Sequence, residues 1–211
     1  MGVAERKERE KVQRRNAIID AAERVFFKVG IENASMDQVA HEAELSKGTL
    51  YLYFNSKDEL YRAIILRGFI ILKRKLKEAA LAHETGFQNV KGISEAYIKF
   101  SYEHLGYFNA ILHYQNDLFS SRDRAPSQVQ SLEGGNAVIG VLILAIQKGK
   151  QDASISREIN EVETAFVLWS QITGLLQVIQ RKMSIITYHY KIKQNDLFRS
   201  YFDLLERSLK A

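Results

Sequence analysis

Cysteine is absent from the 211 residues, proline occurs once, and no apolar run approaches the length of a membrane span. The first absence excludes disulfides and thiolate metal sites. The second leaves long stretches free to stay helical, since proline is the strongest helix breaker. The longest apolar run, residues 137–146, is far short of the ~20 residues that cross a bilayer. The start, MGVAER, carries no apolar signal segment, and Arg6 stands where a myristoylation motif needs Ser or Thr. A cytoplasmic chain held by no membrane is expected. Catalytic signatures are missing too: there is no phosphate-binding glycine loop, HExxH run or nucleophile elbow. His113 and Asp117 begin a metal-site spacing, but no second pair matches it. No catalytic residue, metal or cofactor is assigned, and a helical enzyme stands as the alternative from another functional class.

What is present is helix-forming. The sequence is 46% hydrophobic and 26% charged, with a net charge of +5, which suits an all-α globule with a sizeable core. Charge says little about partners, because the first 67 residues hold twelve basic and eleven acidic side chains. Position has to carry that argument. The leading ERKEREKVQRR, Glu5 to Arg15, mixes both signs without an apolar stripe and reads as a mobile arm or frayed first turns. Its Arg6, Lys7, Arg9 and Lys11 are either DNA contacts made once the arm is ordered or a solubilising tail.

Residues Ser35 to Lys57, SMDQVAHEAELSKGTLYLYFNSK, are the most informative stretch. Ser35 and Gln38 have capping-box spacing, and Ser46 and Ser56 are placed to cap two further helices. Val39, Ala40 and Ala43 give the first short helix an apolar edge, Leu45 plugs a turn, and Leu50 and Phe54 recur four residues apart on the second. Lys47, Gly48, Thr49, Tyr51, Leu52 and Tyr53 are left facing outward. This is the pattern of a helix-turn-helix, whose second helix enters the major groove, where base edges are unambiguous. Gly48 lets the backbone approach closely, Thr49 suits a base edge or thymine methyl, and Tyr51 and Tyr53 suit phosphate oxygens. With Ser35, Ser46 and a phosphate clamp at Lys57, these residues form the expected DNA-binding set. The competing reading is three capped helices in an ordinary core with half-buried tyrosines.

The run LSKGTLYLYFNSKDELY, Leu45 to Tyr61, resembles the signature of the tetracycline-repressor (TetR) family of bacterial transcription regulators. The similarity extends back through Ile18, Ala21, Ala22, Phe26, Gly30, Ser35, Val39 and Ala40, covering roughly Arg14 to Ala63. Two positions depart from it. Glu44 stands where the family usually has glycine, at a turn favouring left-handed backbone angles. Asp37 replaces a basic residue that some relatives direct toward the bases, which assigns base reading mainly to the second short helix. The resemblance implies an all-α fold: an N-terminal three-helix DNA-binding domain and a larger helical ligand-binding and dimerisation domain, about nine helices in all. The expected boundaries are 1–60, with 1–13 as the arm, and 61–211. The implied function is sequence-specific DNA binding by a dimer on a pseudo-palindromic operator, as a repressor released by a small apolar or amphipathic effector.

Beyond Lys57 the periodicity predicts a helix to about Leu81, with Leu60, Ile64, Phe69, Leu72 and Leu76 inward. His83 to Gly92 reads as a loop or helix start, and further helices are expected over Gly92–Gly106, Tyr107–Ser120 and Ser127–Lys150, with breaks at Gly106 and Ser121–Pro126 and a possible interruption at Gly134-Gly135. Later, Ile159, Val162, Phe166, Trp169, Ile172, Leu176, Ile179 and Met183 form one stripe, while Val167, Leu168, Leu175 and Val178 supply another. The second stripe, with Phe198, Phe202 and Leu205, is the expected dimer interface. Burial within one subunit is the alternative. Mid-chain aromatics, among them Tyr102, Tyr107, Tyr114 and Phe119, mark where an effector would enter. Tyr97, Phe100, Phe108, Leu112, Trp169 and Thr173 are the expected lining, with His104 or Gln171 as polar anchors. The same residues as plain core, with a protein partner in place of an effector, remain the other reading.

Overall fold

A computed structural model describes residues 2–114 and 126–210. Among them are nine helices and no strand: α1 (Val3–Val29), α2 (Met36–Glu42), α3 (Lys47–Tyr51), α4 (Lys57–Ala80), α5 (Gly86–Glu103), α6 (Leu105–Tyr114), α7 (Pro126–Gln151), α8 (Glu161–Tyr190) and α9 (Gln194–Leu209). The expected all-helical class holds. Asp117, Phe119 and the break at 121–125 lie outside the described residues.

The chain divides into two compact units that no single cut at residue 60 reproduces. The first holds the described residues of Met1–Phe69 and Gly106–Glu133, the second Ile70–Leu105 and Gly134–Ala211. In the first, Ile18, Ile19, Ala21, Ala22 and Phe26 of α1 are buried, as are Val39, Leu50, Leu60 and Ile64. Polar contacts lock α6 to α1 and α4: the Tyr107 hydroxyl donates to Glu23 at 2.7 Å, Arg67 reaches Asp20 and Glu23, and the Tyr61 hydroxyl donates to the Ala110 carbonyl. The Tyr107 ring also meets Phe27 edge-on, with centroids 5.2 Å apart. N-terminally, α1 stays helical from Val3, where an arm or frayed turns were expected, although every residue from 2 to 17 is exposed.

In the second unit the stretch 83–92, which reads as a loop or helix start, holds the start of a helix. Thr85 caps α5 through a box with Gln88, and the helix runs on from Gly86. The glycines that suggested a loop are there for packing. A Cβ on Gly86 would lie 2.0 Å from the Gly149 backbone nitrogen, and one on Gly92 would press on His83 and Ala79. Asp152 and Ser154 accept from the Gly86 and Phe87 N–H groups, fixing this close approach. Two buried hydroxyl pairs join α5 to its neighbours, Ser94 with Tyr201 of α9 and Tyr97 with Thr173 of α8, each at 3.2 Å. No interruption appears at Gly134-Gly135, where α7 is continuous. By length and composition α7 and α8 are each apolar enough to cross a membrane, but Leu142, Ile146, Ile172 and Leu176 fill the protein's own core.

Gly86→Ala is expected to destabilise the protein by about 3 kcal/mol, because the obstacle is backbone. Gly140→Ala, whose Cβ would meet nothing within 4 Å, should be neutral or gain ~0.5–1 kcal/mol from helix propensity. Urea midpoints of the two variants check the contrast.

Candidate nucleic-acid interface

The sequence from Ser35 to Lys57 builds two short helices whose ends are closed by their own side chains. The Ser35 hydroxyl accepts from the Gln38 N–H at 3.2 Å, and the Gln38 side chain accepts from the Ser35 N–H at 2.8 Å. Met36, Val39 and Ala40 are buried, which turns Asp37 and His41 outward. After α2 the chain reverses at Glu44, whose φ is +54°. This is the left-handed geometry that the family resemblance implied, here adopted by a residue that has a Cβ. Leu45 follows half-buried, its N–H donating to the Ala40 carbonyl.

Ser46 opens α3 by accepting from the Thr49 N–H at 3.1 Å, and its hydroxyl also meets that of Thr49 at 2.8 Å. Leu50 and Phe54 have no exposed surface, and the Arg15 guanidinium lies 4.7 Å above the Phe54 ring. These anchors fix which side faces out. Lys47, Gly48 and Tyr51 are exposed, Leu52 is 83% exposed, and Thr49 and Tyr53 are half-buried. A Cβ added to Gly48 would find its nearest neighbour, the Ser46 hydroxyl, 4.0 Å away. The fold therefore makes no demand for glycine at this position.

Two side chains behave in ways the sequence did not disclose. The Lys57 ammonium donates to the carbonyls of Ile31, Glu32 and Ala34 at 2.8, 3.3 and 3.1 Å. It staples the α1–α2 connection to the start of α4, a structural role the sequence did not disclose beside the expected phosphate contact. Lys47 forms an ion pair with Asp37 at 2.7 Å, and the nearby carboxylate raises the lysine's pKa. A groove beside Tyr53 is also lined by Glu10 and Gln13 and brings Arg14, unassigned from the sequence, next to Lys7 and Lys11. Their helical spacing continues the face that Ile18 and Ala21 bury, and that continuity was the available signal.

In the second unit, Tyr97 and Phe100 are buried, Trp169 lies 4.5 Å from Tyr97 ring to ring, and Thr173 bonds the Tyr97 hydroxyl. Burial drives the Tyr97 pKa upward. His104 caps the end of α5, stacks on Phe100 and has a lowered pKa through burial and the nearby Lys75. Phe108 is buried and Leu112 half-buried, both on α6 in the first unit. Gln171 is exposed on another side of α8 from Thr173, so it does not join this group. Asn89 was missed: it is fully buried, with neither polar atom of its side chain partnered.

The expected dimer set splits. Leu168 and Leu205, at 4% and 2% exposure, belong to the chain's own core. Val167 and Val178 are 55% and 40% exposed, while Leu175, Phe198 and Phe202 are half-buried. The exposed apolar surface also includes Val162, Phe166 and Ile185 of α8 and Leu204 of α9.

Residues 18–64 match the family model described as bacterial regulatory proteins, tetR family. The chain is similar to the uncharacterized HTH-type transcriptional regulator YfiR of Bacillus subtilis (strain 168), 40% identical over 33% of this chain and 34% of that one. The HTH-type transcriptional regulator UidR of Escherichia coli (strain K12) is 26% identical over 79% of this chain and 81% of its own. The matches to YfiR and to YhgD of the same Bacillus strain span 34% and 49% of those proteins' lengths. Among solved structures, the transcriptional regulator FadR from Bacillus subtilis, in complex with stearoyl-CoA, superposes with a TM-score of 0.69 at 16% identity, covering 92% of this chain and 98% of that one. At that identity the agreement concerns the fold.

Lys57→Ala is expected to lower the stability of the DNA-free protein by about 1–3 kcal/mol, since three carbonyls lose a charged donor. Thermal melts without nucleic acid check it, and a pure phosphate contact would leave them unchanged.

Proposed function

The chain belongs to the tetR family of bacterial regulatory proteins through its helix-turn-helix, and on that premise we propose that it is a transcriptional repressor acting in the cytoplasm. It binds a pseudo-palindromic operator as a homodimer and is released by a small apolar or amphipathic effector. One observation carries the DNA-binding reading. α3 turns Leu50 wholly inward, Phe54 just beyond it is buried as well, and Lys47, Gly48, Tyr51 and Leu52 are left with little work in the fold. Exposed Lys47 and Gly48 at the start of a short helix suit close approach to a groove.

The dimer reading is supported by exposed Val167, Val178 and Ile185, which with Gly174 recur along one stripe of α8, on a different side from buried Ile172 and Leu176. An exposed stripe of this kind marks an association surface. The effector reading is supported by the aromatic and hydroxyl side chains of Tyr97, Trp169 and Thr173, by the unpartnered amide of Asn89, and by the stearoyl-CoA named for FadR. A buried amide without partners is costly, and a polar group on a bound molecule relieves that cost. Only a molecule that prefers the DNA-free conformation drives release.

The test is selection of binding sites from random duplexes, followed by salt titration. The wild-type chain is expected to enrich a pseudo-palindrome and to lose affinity steeply with salt. Gly48→Ala should melt at or above the wild-type temperature yet bind the winning duplex at least about tenfold more weakly. Unchanged binding by that variant contradicts close approach of α3, and no enriched sequence contradicts the function.

A further inference from the structure

Asp37 of α2 and Lys47 of α3 meet at 2.7 Å while their side chains keep 65% and 60% of their exposure. Neither sits on a loose surface. The Ser35–Gln38 capping box and the burial of Met36, Val39 and Ala40 fix Asp37, and the Ser46 cap with buried Leu50 fixes Lys47. A pair this exposed contributes little to stability and opens at little cost. Its place in the fold is therefore not explained by what it adds to the fold.

The carboxylate is the anomaly. On a face presented to a polyanion, an acid repels phosphate and lowers affinity for every sequence alike. It becomes useful only where the nucleic acid offers a hydrogen-bond donor. In the major groove a G·C pair does so: the guanine edge presents two acceptors, N7 and O6, and the paired cytosine presents its N4 amine beside them. An ammonium and a carboxylate held side by side on neighbouring helices offer donors and an acceptor in the same adjacent order. The geometry points to joint reading of one G·C pair in each half-site, with Lys47 donating to guanine and Asp37 accepting from the cytosine amine. The same contact holds the Lys47 ammonium away from phosphates and directs it to base edges. This inference rests on the DNA-binding function proposed above and adds Asp37 as a specificity-determining residue.

The test applies the same selection to the full chain and to Asp37→Ala, Asp37→Asn and Lys47→Ala, whose exposed positions leave folding intact by thermal melt. The wild-type chain should enrich a G·C pair at one fixed position of each half-site, by about tenfold over other pairs. Asp37→Ala should lose preference at that position alone and bind an unrelated duplex several-fold more tightly, because a repulsive charge is gone. Asp37→Asn should move the preference there toward A·T, since a carboxamide matches adenine N6 and N7. Lys47→Ala should weaken the same position and reduce affinity overall. Identical motifs from wild type and both Asp37 variants overturn the inference while leaving the regulator reading standing. A wild-type chain that enriches no sequence overturns both.

Discussion

A helix of five residues has no standing of its own, because nucleation costs more than so few backbone bonds return. α3 exists because Leu50 and Phe54 are wholly removed from water, each contributing about 2 kcal/mol in apolar burial. Ser46 closes the helix start, and Arg15 covers the Phe54 ring. All of the helix's apolar attachment is thus on one side, and the exposed Lys47–Asp37 pair adds little on the other. The other side is released from structural duty, and that division allows Lys47, Gly48, Tyr51 and Leu52 to be chosen for what they meet outside the protein. The Lys57 staple serves the same end by holding the α1–α2 connection, and with it the start of α2, in a fixed position.

Much of this unit was legible because its signals are local. The Ser35–Gln38 box, the Ser46 cap and the Leu50–Phe54 pair each depend on residues within four positions of one another, while the left-handed backbone at Glu44 was implied by the family resemblance. What stayed hidden depends on distant partners. Lys57 reads as one more basic residue until its carbonyl partners some 25 positions away are known, and Asp37 looks like a missing cation until Lys47 is found beside it. The glycines before α5 follow the same logic. Gly86 stands where the sequence reads as a loop or helix start, and it marks a place where the Gly149 backbone comes too close for any side chain.

The second unit shows the limit of periodicity. α8 carries apolar residues on more than one side, and the pattern alone does not say which side meets the chain itself. Leu168 and Leu205 were assigned outward and lie inward, while Phe166 and Val162 were assigned to the inner stripe and are exposed. Buried polar groups discriminate better than apolar ones here. The Tyr97–Thr173 and Ser94–Tyr201 hydroxyl pairs define which faces of α5, α8 and α9 pack together, because a buried hydroxyl must find a partner. Asn89, whose amide finds none, is the exception among the described residues of that unit.

The central claim is that the outward face of α3 lies in a major groove in each half of a symmetric site. Methylation interference on the selected duplex tests it directly, because guanine N7 opens to the major groove and adenine N3 to the minor. The account requires binding to be blocked by N7 methylation in two clusters about one helical turn apart, or a multiple of it, on one face of the DNA. Binding that tolerates N7 methylation throughout, with interference confined to adenine N3, contradicts it.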